Sequence, residues 1–426
     1  MRAAAPVLRL YPALGNSAFL VLWLGMMPAT LAVMMNQVAS PYAAFALSGS
    51  AAVLGVVNLA QGVPMLLLSL VGGVVADRLP RRLVLAGSQL TLGLAAAALA
   101  VLGLSGLLQV WHIIAASFVQ GAAFAFNMPA RQAFIAELVP RPQLPNAAAL
   151  NNAGQNLCRV AGPALGGVLL ALPGVGIGGA FVAMAVMYAS ALLALVRLPG
   201  GSQRRGETAR AGGLSHLVEG LRYVRSSPTI VTLIVMNLVV VVLGMPYQTL
   251  MPVVAERVFG VGAEGLGLLL ASAGVGALAG ALLVASLSRF SHPAALELGL
   301  AIGLGVALML FALTRSLPVA IGLLVVVGFC NSAFSALNNT LLMANSEARL
   351  TGRVMSIYLL TWGAQPLGAL PLAWLADRTG APAAIALAGA AVAAIVTGIA
   401  VLNPAAHRIT WLPATGGRGS GVRGQA

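Results

Sequence analysis

Long apolar segments with almost no charge follow one another along the whole chain. Of its 426 residues, 60% are hydrophobic and 8% are charged, whereas soluble domains carry about 25% charged residues. Apolar segments of about 20 residues cross a bilayer as α-helices; transmembrane β-strands alternate polar and apolar residues over about ten positions. Continuous apolar runs such as 231–242 and 383–400 contradict that alternation. The sequence therefore predicts an all-α polytopic membrane protein.

Gly, Pro and charged residues between the apolar runs predict twelve transmembrane helices in two six-helix halves. The predicted spans are 17–47, 51–75, 83–104, 108–134, 146–171, 175–196, 229–252, 264–287, 294–314, 318–344, 353–375 and 381–402. The predicted domains are an N-terminal half at 1–196, a cytoplasmic linker at 197–228, a C-terminal half at 229–402 and a disordered cytoplasmic tail at 403–426.

Apolar residues recur at helical spacing within the predicted linker. They fit an amphipathic helix on the membrane surface or, equally well, a solvated linker helix. These residues are Leu214, Leu217, Val218, Leu221 and Val224.

The basic residues, all of them arginine, are distributed unevenly between the two sides of the predicted helices. Of the 23 arginines, 19 fall on one side, Arg257, Arg315 and Arg378 fall on the other, and Arg159 lies within helix 5. Because cytoplasmic loops carry the excess of Lys and Arg, both termini and the linker are predicted to be cytoplasmic. The arginines are dispersed among loops rather than gathered on one face, so nucleic-acid binding is not predicted.

The two halves share a pattern of residues. Leu54-Gly55 with Gly62 in helix 2 corresponds to Leu266-Gly267 with Gly274 in helix 8, and the Gly-Pro segment of helix 5 is loosely matched by 365–368 in helix 11. Such internal duplication is typical of secondary transporters, which bind substrate near the midplane between the repeats.

The segment Gly72–Arg82 is predicted to be a short charged loop between helices 2 and 3. It resembles the signature cytoplasmic loop of the major facilitator superfamily through Asp77-Arg78 and the pair Arg81-Arg82, although Pro80 stands where that superfamily more often has glycine. The resemblance extends over about residues 15–402 and implies the major facilitator fold.

A Gly-Pro segment in helix 5 resembles a motif of exporters in the same superfamily, with Cys158 where the motif's first glycine would fall. The stretches Val139–Ala147 and Gly352–Ser356 also resemble the bacterial subgroup that includes siderophore and macrolide exporters, and this resemblance implies an exporter of that kind. Ser117 stands where many proton-coupled exporters have an arginine in helix 4, so that coupling scheme is not carried over. The antiporter-like motif residues are Gly162, Pro163, Gly166 and Gly167.

The family loop also implies a gate. Asp77 would interact with the partial positive charge at the start of helix 11, near Arg353, and Arg81 or Arg82 would pair with Glu137. In the alternative reading, the arginines only hold the loop in the cytoplasm. The predicted gating residues are Gly73, Asp77, Arg78, Arg81, Arg82, Glu137 and Arg353.

Arg159 is a charged residue predicted near mid-membrane, which makes it a functional hypothesis by default. It either contacts an anionic or carbonyl-rich substrate in a wet cavity or is neutralised by nearby amides. The fold implies that helices 1, 4, 7 and 10 line the cavity, where lone amides serve as substrate contacts or as interhelical hydrogen-bond partners. With Arg159, the candidate substrate-pathway residues are Asn36, Gln37, Gln120, Asn127, Asn237, Gln248, Asn331 and Asn338.

The predicted function is export of a small amphipathic or hydrophobic molecule, a drug or siderophore-like metabolite, across the inner membrane. The expected protein is a monomer in the lipid bilayer with a coupling ion such as the proton. An uptake symporter and a non-transporting scaffold or sensor remain the alternatives. No enzyme motif, cofactor or metal site is predicted, and Cys158 and Cys330 are interpreted as small apolar residues.

Overall fold

The computed structural model describes residues 12–198, 221–286, 292–347, 349–403 and 409, apart from the side chains of Leu70, Gly73, Val74, Ala76, Asp77 and Ala285. These ranges form long helices joined by short connections. The long helices are α1 Ser17–Ser48, α2 Ala51–Arg78, α3 Arg81–Leu104, α4 Val110–Leu138, α5 Leu144–Ala171, α6 Gly176–Arg197, α7 Pro228–Phe259, α8 Gly262–Ser286, α9 Pro293–Leu313, α10 Leu317–Ala344, α11a Thr351–Trp362, α11b Gln365–Thr379 and α12 Ala381–Leu402.

Some predicted features lie outside the described residues. They are Asp77's side chain, most of the linker and the tail, Leu214, Leu217 and Val218 of the predicted linker helix, and three of the 19 arginines counted on one side, Arg2, Arg9 and Arg289. Leu221 and Val224 of the predicted linker helix lie in a short helix at 221–226, where Val224 is buried.

The all-α polytopic prediction is confirmed, since ten helices in the described ranges are long and apolar enough to cross a membrane. The predicted spans in α5 and α11 fall outside this set. In α5, four amides and one arginine lie within 151–159 and lower its apolar content. Helix α11 is interrupted at Gly363 and Ala364, so neither of its parts reaches membrane-spanning length alone. Both are consistent with the predicted arrangement of twelve helices.

The predicted charged loop at Gly72–Arg82 was wrong in its extent, because α2 remains helical through Arg78. Only Leu79 and Pro80 connect it to α3. Leu79 has φ −100° and ψ 155°, the extended conformation that a following proline favours, and Pro80 ends the helix. Similarly, α4 extends to Leu138, beyond the predicted end at 134, and Arg131 lies within this helix, as the predicted span already placed it.

Helix α7 changes its hydrogen-bonding pattern several times. It is α-helical from Pro228 to Val239 and then passes through π, 3₁₀, short α and π segments to Phe259, well beyond the predicted end at 252. Pro246 and Pro252 lack the backbone N–H that a regular α-helix needs, and π segments inside helices are frequent at functional sites.

The two halves have matching internal packing. Helices α2 and α4 pack together as α8 and α10 do, and α3 packs on α6 as α9 packs on α12. The halves meet along two seams, one formed by α5 and α8 and the other by α2 and α11b. The two ends of this bundle are named here by their connections. The basic face carries the connections at 79–80, 139–143 and 345–350, and the opposite face carries those at 49–50, 105–109, 260–261, 314–316 and 380.

The glycines repeated between the halves lie in these seams. A methyl group on Gly55 would lie 2.9 Å from Leu370 Cα of α11b, and one on Gly267 would lie 2.6 Å from the Pro163 carbonyl of α5. Glycine therefore allows the backbones to approach closely, as small residues do between membrane helices. The repeat of these glycines in α2 and α8 therefore reflects equivalent contacts across the two seams.

Candidate functional site

A cavity of about 820 Å³ lies between the two halves. Its wall is mixed, with amides and hydroxyls beside aromatic and aliphatic side chains. The lining comes from α1, α2, α4, α5 and α6 of the first half and from α7, α8, α10 and α11 of the second. The prediction that helices 1, 4, 7 and 10 form the lining was therefore incomplete, since the helices of both seams also contribute.

Six predicted substrate-pathway residues line this cavity: Asn36, Gln37, Gln120, Arg159, Gln248 and Asn331. The other three, Asn127, Asn237 and Asn338, are buried and lie outside the lining. Asn237 donates a hydrogen bond of 2.5 Å to Thr361 Oγ1, which is the interhelical role left open for such amides. Residues not singled out in the sequence also line the cavity, including Asn58, Gln61, Asn339, Tyr358, Trp362 and Gln365.

Short hydrogen bonds fix part of the polar wall. Asn36 Nδ2 donates to Gln120 Oε1 over 2.8 Å, and Ser40 Oγ donates to Asn36 Oδ1 over 2.6 Å. Asn58 Nδ2 donates to Thr249 Oγ1 over 3.0 Å and so joins α2 to α7 across the halves. The cavity thus has an organised amide surface that both halves build.

Among the described residues that line the cavity, Arg159 is the only one with a charged side chain. Its neighbours on α5, Asn152 and Pro163, also line the cavity. Its backbone lies at the seam, because a methyl group on Gly274 of α8 would lie 3.0 Å from the Arg159 carbonyl. A fixed positive charge therefore faces the cavity beside the point where the halves meet.

The antiporter-like glycines of α5 face two different helices. Gly162 and Gly166 approach α1, where a methyl group on Gly166 would lie 3.2 Å from the Met35 carbonyl. Gly167 approaches α8, with Ala263 O at 2.7 Å and Gly267 Cα at 2.8 Å from the corresponding methyl position. The motif lets α5 pack closely on its own half and on the other half at once.

On the opposite face, Asp377 at the end of α11b binds the first turn of α2. Its carboxylate accepts hydrogen bonds from Ser50 Oγ at 2.6 Å and from the backbone N–H groups of Ala51 at 2.7 Å and Ala52 at 2.9 Å. Ser50 is the N-cap residue of α2, and its side chain does not cap its own helix. The cap of α2 is therefore supplied by the other half.

A second contact at this face comes from Arg257 of α7, which donates a hydrogen bond of 2.5 Å to the Gly49 carbonyl and lies over the Phe45 ring. Asp377 was not among the predicted site residues, although Ala376-Asp377-Arg378 repeats the triplet Ala76-Asp77-Arg78.

On the basic face, the predicted gating residues lie at several helix ends. Of the two arginines expected to pair with Glu137, Arg81 does so, with Nη1–Oε1 2.8 Å. Arg82 instead donates to the Val196 carbonyl over 2.6 Å. Arg78 lies in the last turn of α2, and Arg353 lies in the first turn of α11a.

Two buried polar clusters support these helices outside the cavity. Arg131 of α4 donates to Thr30 Oγ1 of α1 and to Asn151 Oδ1 of α5, both over 2.9 Å, and so ties three helices together. In the second half, Asn338 Nδ2 donates to Glu297 Oε1 over 2.5 Å. Glu297 is fully buried, and its Oε2 has no hydrogen-bond partner among the described residues.

The chain matches, over residues 10–410, the family model described as transmembrane secretion effector. It is 31% identical to the multidrug efflux pump Tap of Mycolicibacterium fortuitum over 352 residues, covering 80% of this chain and 85% of that protein. It is 26% identical to the staphyloferrin A transporter of Staphylococcus aureus, covering 78% and 82%. The macrolide efflux protein A of Streptococcus pyogenes is 23% identical, with 85% and 90% covered.

Solved transporters share the fold. A bacterial homolog to the human lysosomal transporter Spinster, in an inward-facing and unoccupied conformation, superposes with a TM-score of 0.70 at 17% identity, covering 92% of this chain and 95% of that chain. The nucleoside transporter NupG superposes with a TM-score of 0.70 at 12% identity, covering 91% and 99%.

Proposed function

Since the chain belongs to the transmembrane secretion effector family of the major facilitator superfamily, we propose that it exports small amphipathic or hydrophobic molecules, of a drug-like or siderophore-like class, by alternating access. The observation that carries this proposal is the cavity of about 820 Å³ that both halves line. Secondary transporters place substrate at such an interface between repeats. The similarity to efflux pumps supports the direction of transport.

The proposed location is the inner membrane, with the basic face in the cytoplasm. Among the described arginines at helix ends, three lie at the opposite face, namely Arg257, Arg315 and Arg378. The basic face holds a larger set, and cytoplasmic loops carry the excess of positive charge. This set is Arg78, Arg81, Arg82, Arg141, Arg197, Arg222, Arg225, Arg349 and Arg353.

The conformation is proposed to be closed on the opposite face. The Asp377 cap and the Arg257 contact join the halves there, and the Gly167–Gly267 approach closes the other seam near the same face. Helix α11b packs along α2, whereas α11a packs chiefly on α7 and α10 of its own half. This distribution supports a state in which substrate is reached from the basic face.

The counterpart gate on the basic face is proposed to use Asp77 against the first turn of α11a. Residue 77 lies in the last turn of α2 and Arg353 in the first turn of α11a, and a carboxylate near a helix N-terminus is favoured by its partial positive charge. The Arg81–Glu137 pair holds α3 to α4 beside this gate. Gly73, Arg78 and Arg82 complete the proposed gating segment.

The proposed coupling ion is the proton, carried by Glu297, in a protein acting as a monomer. The Glu297 carboxyl is fully buried, and burial is far less costly for a protonated carboxyl than for a carboxylate. Asn338 donates to one of its oxygens, while the other has no hydrogen-bond partner among the described residues and can carry the proton.

Accumulation in inverted membrane vesicles tests the export direction. The vesicles come from a host that lacks its own pumps, and the compounds tested are drugs and siderophore-like molecules. An uncoupler, which collapses the proton gradient, is the control for energy dependence. Accumulation that requires the protein and is abolished by the uncoupler is expected. Accumulation only in right-side-out vesicles would show uptake, and no protein-dependent movement of any compound would refute the transport proposal.

A further inference from the structure

The cavity has an electrostatic character that defines a class of substrate. Its lining contains asparagine, glutamine, serine, threonine, tyrosine and tryptophan side chains, and in the part of the chain that the structure describes Arg159 is the only charged residue that lines it. Within the described ranges, no carboxylate lines the cavity to balance the guanidinium. The cavity therefore has a net positive wall.

The guanidinium of Arg159 is also without a protein partner among the described residues, since neither the ion pairs nor the hydrogen bonds of those residues include it. Arg131, which also lies within a helix of the same half but outside the cavity lining, is held by two hydrogen bonds from its side chain. A charge inside the membrane is costly and is normally paired or turned toward a water-filled cavity. Arg159 therefore presents five donors that a ligand can use.

We propose that Arg159 binds an anionic group of the substrate, a carboxylate or sulfonate, while the aromatic and aliphatic part of the cavity binds the rest of an amphipathic molecule. Arginine forms paired hydrogen bonds with planar or tetrahedral oxyanions, and these charge-assisted bonds are stronger than neutral ones. Amide groups at Gln37 and Asn331, which also line the cavity, provide further polar contacts. The inference deepens the proposed export function, on which it rests for treating the cavity as the substrate site.

The position of Arg159 also links binding to the seam. Its backbone carbonyl lies against Gly274 of α8, so an anion held there touches the first half at the point where the second half packs on it. Substrate charge is thereby neutralised at the interface that must rearrange during transport.

The test compares two probes that share one aromatic skeleton: 8-anilino-1-naphthalenesulfonate and its neutral analogue N-phenyl-1-naphthylamine. Binding is measured to the full chain in nanodiscs, with empty nanodiscs subtracted. The sulfonate should bind the wild type at least about tenfold more tightly than the neutral probe, the scale of a hydrogen bond to a charged group. Arg159→Gln should remove this preference and leave the neutral probe unchanged, whereas Arg159→Lys should retain part of it.

Arg378→Gln is the matched control, because it removes one positive charge at the opposite face without touching the cavity. Equal binding of the two probes by the wild type, or an equal loss in Arg378→Gln, would overturn the inference; the first of these needs no mutant that might misfold. If the wild type prefers the sulfonate but moves no compound in the inverted-vesicle assay, the transport proposal alone would be refuted.

Discussion

Replacing Asp377 by asparagine should open the opposite face of the protein. The carboxylate of Asp377 belongs to the second half, yet it caps the first turn of α2 in the first half through one hydroxyl and two backbone N–H groups. Separation of the halves at this face must break all three hydrogen bonds. The closed state alone therefore benefits from them.

The size of the effect follows from the capping geometry. Asparagine keeps one acceptor oxygen and has an NH2 group in place of the other, so at least one of the three hydrogen bonds is lost at about 0.5 to 1.5 kcal/mol. Loss of the charge at the helix N-terminus adds about 0.3 to 1 kcal/mol. Asp377 is solvent-exposed, so the lower end of each range applies. A total of about 1 kcal/mol corresponds to a change of roughly fivefold in the equilibrium between closed and open states.

Distances between spin labels across the opposite face measure this equilibrium. Cysteines introduced at Ser105 and Ser316 lie in connections of the first and second halves at that face, and the native Cys158 and Cys330 are replaced by alanine. In nanodiscs, double electron–electron resonance should show the long-distance population rising roughly fivefold relative to the short one in Asp377→Asn. Ser50→Ala, which removes one of the three hydrogen bonds, should produce a smaller shift in the same direction.

The neighbouring Arg378 provides the control. Its guanidinium lies 3.7 Å from the centroid of the Trp374 ring on its own helix, so Arg378→Gln changes the local charge without touching α2. An unchanged distance distribution in Asp377→Asn would refute the capping argument. The same shift in Arg378→Gln would show that net charge, and not the cap, sets the equilibrium.

Four further outcomes are expected. Gly267→Ala should lower export and the melting temperature because its methyl group would meet the backbone of α5 at 2.6 Å. Gly87→Ala is the control: the space around Gly87 is open, so the melting temperature should be unchanged or slightly raised. Arg131→Gln should lower the free energy of unfolding in detergent by about 2 kcal/mol, since it breaks hydrogen bonds to two other helices; an unchanged melting temperature would contradict this. Glu297→Gln should keep the fold and make residual export insensitive to the pH gradient, and export that still follows the gradient would exclude Glu297 as the proton carrier. Asp77→Asn should lower export at near-normal membrane expression, and normal efflux would remove the basic-face gate.

The sequence allowed the fold to be predicted well because the bilayer restricts the choices. Apolar length and composition identify helices directly when every backbone polar group must be satisfied within a segment. The exceptions have local causes. Asp77 and Arg78 were interpreted as loop residues, and helix 4 was predicted to end at 134, although α2 continues to Arg78 and α4 to Leu138. Pro80, rather than the charges, ends α2.

The cavity could be predicted only in part. Asn36 and Asn237 look alike in sequence, as lone amides in apolar helices, yet one lines the cavity and the other is buried against Thr361. Which of them faces the cavity depends on the rotation of its helix, which is set by close packing on neighbouring helices rather than by the amide itself. Gly162 and Gly166 of α5 pack on α1, and Gly368 of α11b packs on Val242 of α7. Arg159 was found because a charge at mid-helix is rare enough to stand out without knowledge of rotation.

The two Asp-Arg pairs lie at opposite faces of the protein. Asp77 lies in the last turn of α2, at the basic face, and Asp377 lies in the last turn of α11b, at the opposite face. These two helices form one seam between the halves. Asp377 caps the start of α2, and the proposed role of Asp77 is the same contact with the start of α11a.

The two caps should therefore form in different conformations. Closing one face forms the cap at that face, while opening the other face breaks the cap there. Each substitution should then shift the equilibrium in the opposite direction, and the double variant Asp77→Asn/Asp377→Asn should return near the wild-type balance while both states lose stability. A double variant that shifts as far as Asp377→Asn alone would show that only the opposite face carries such a cap.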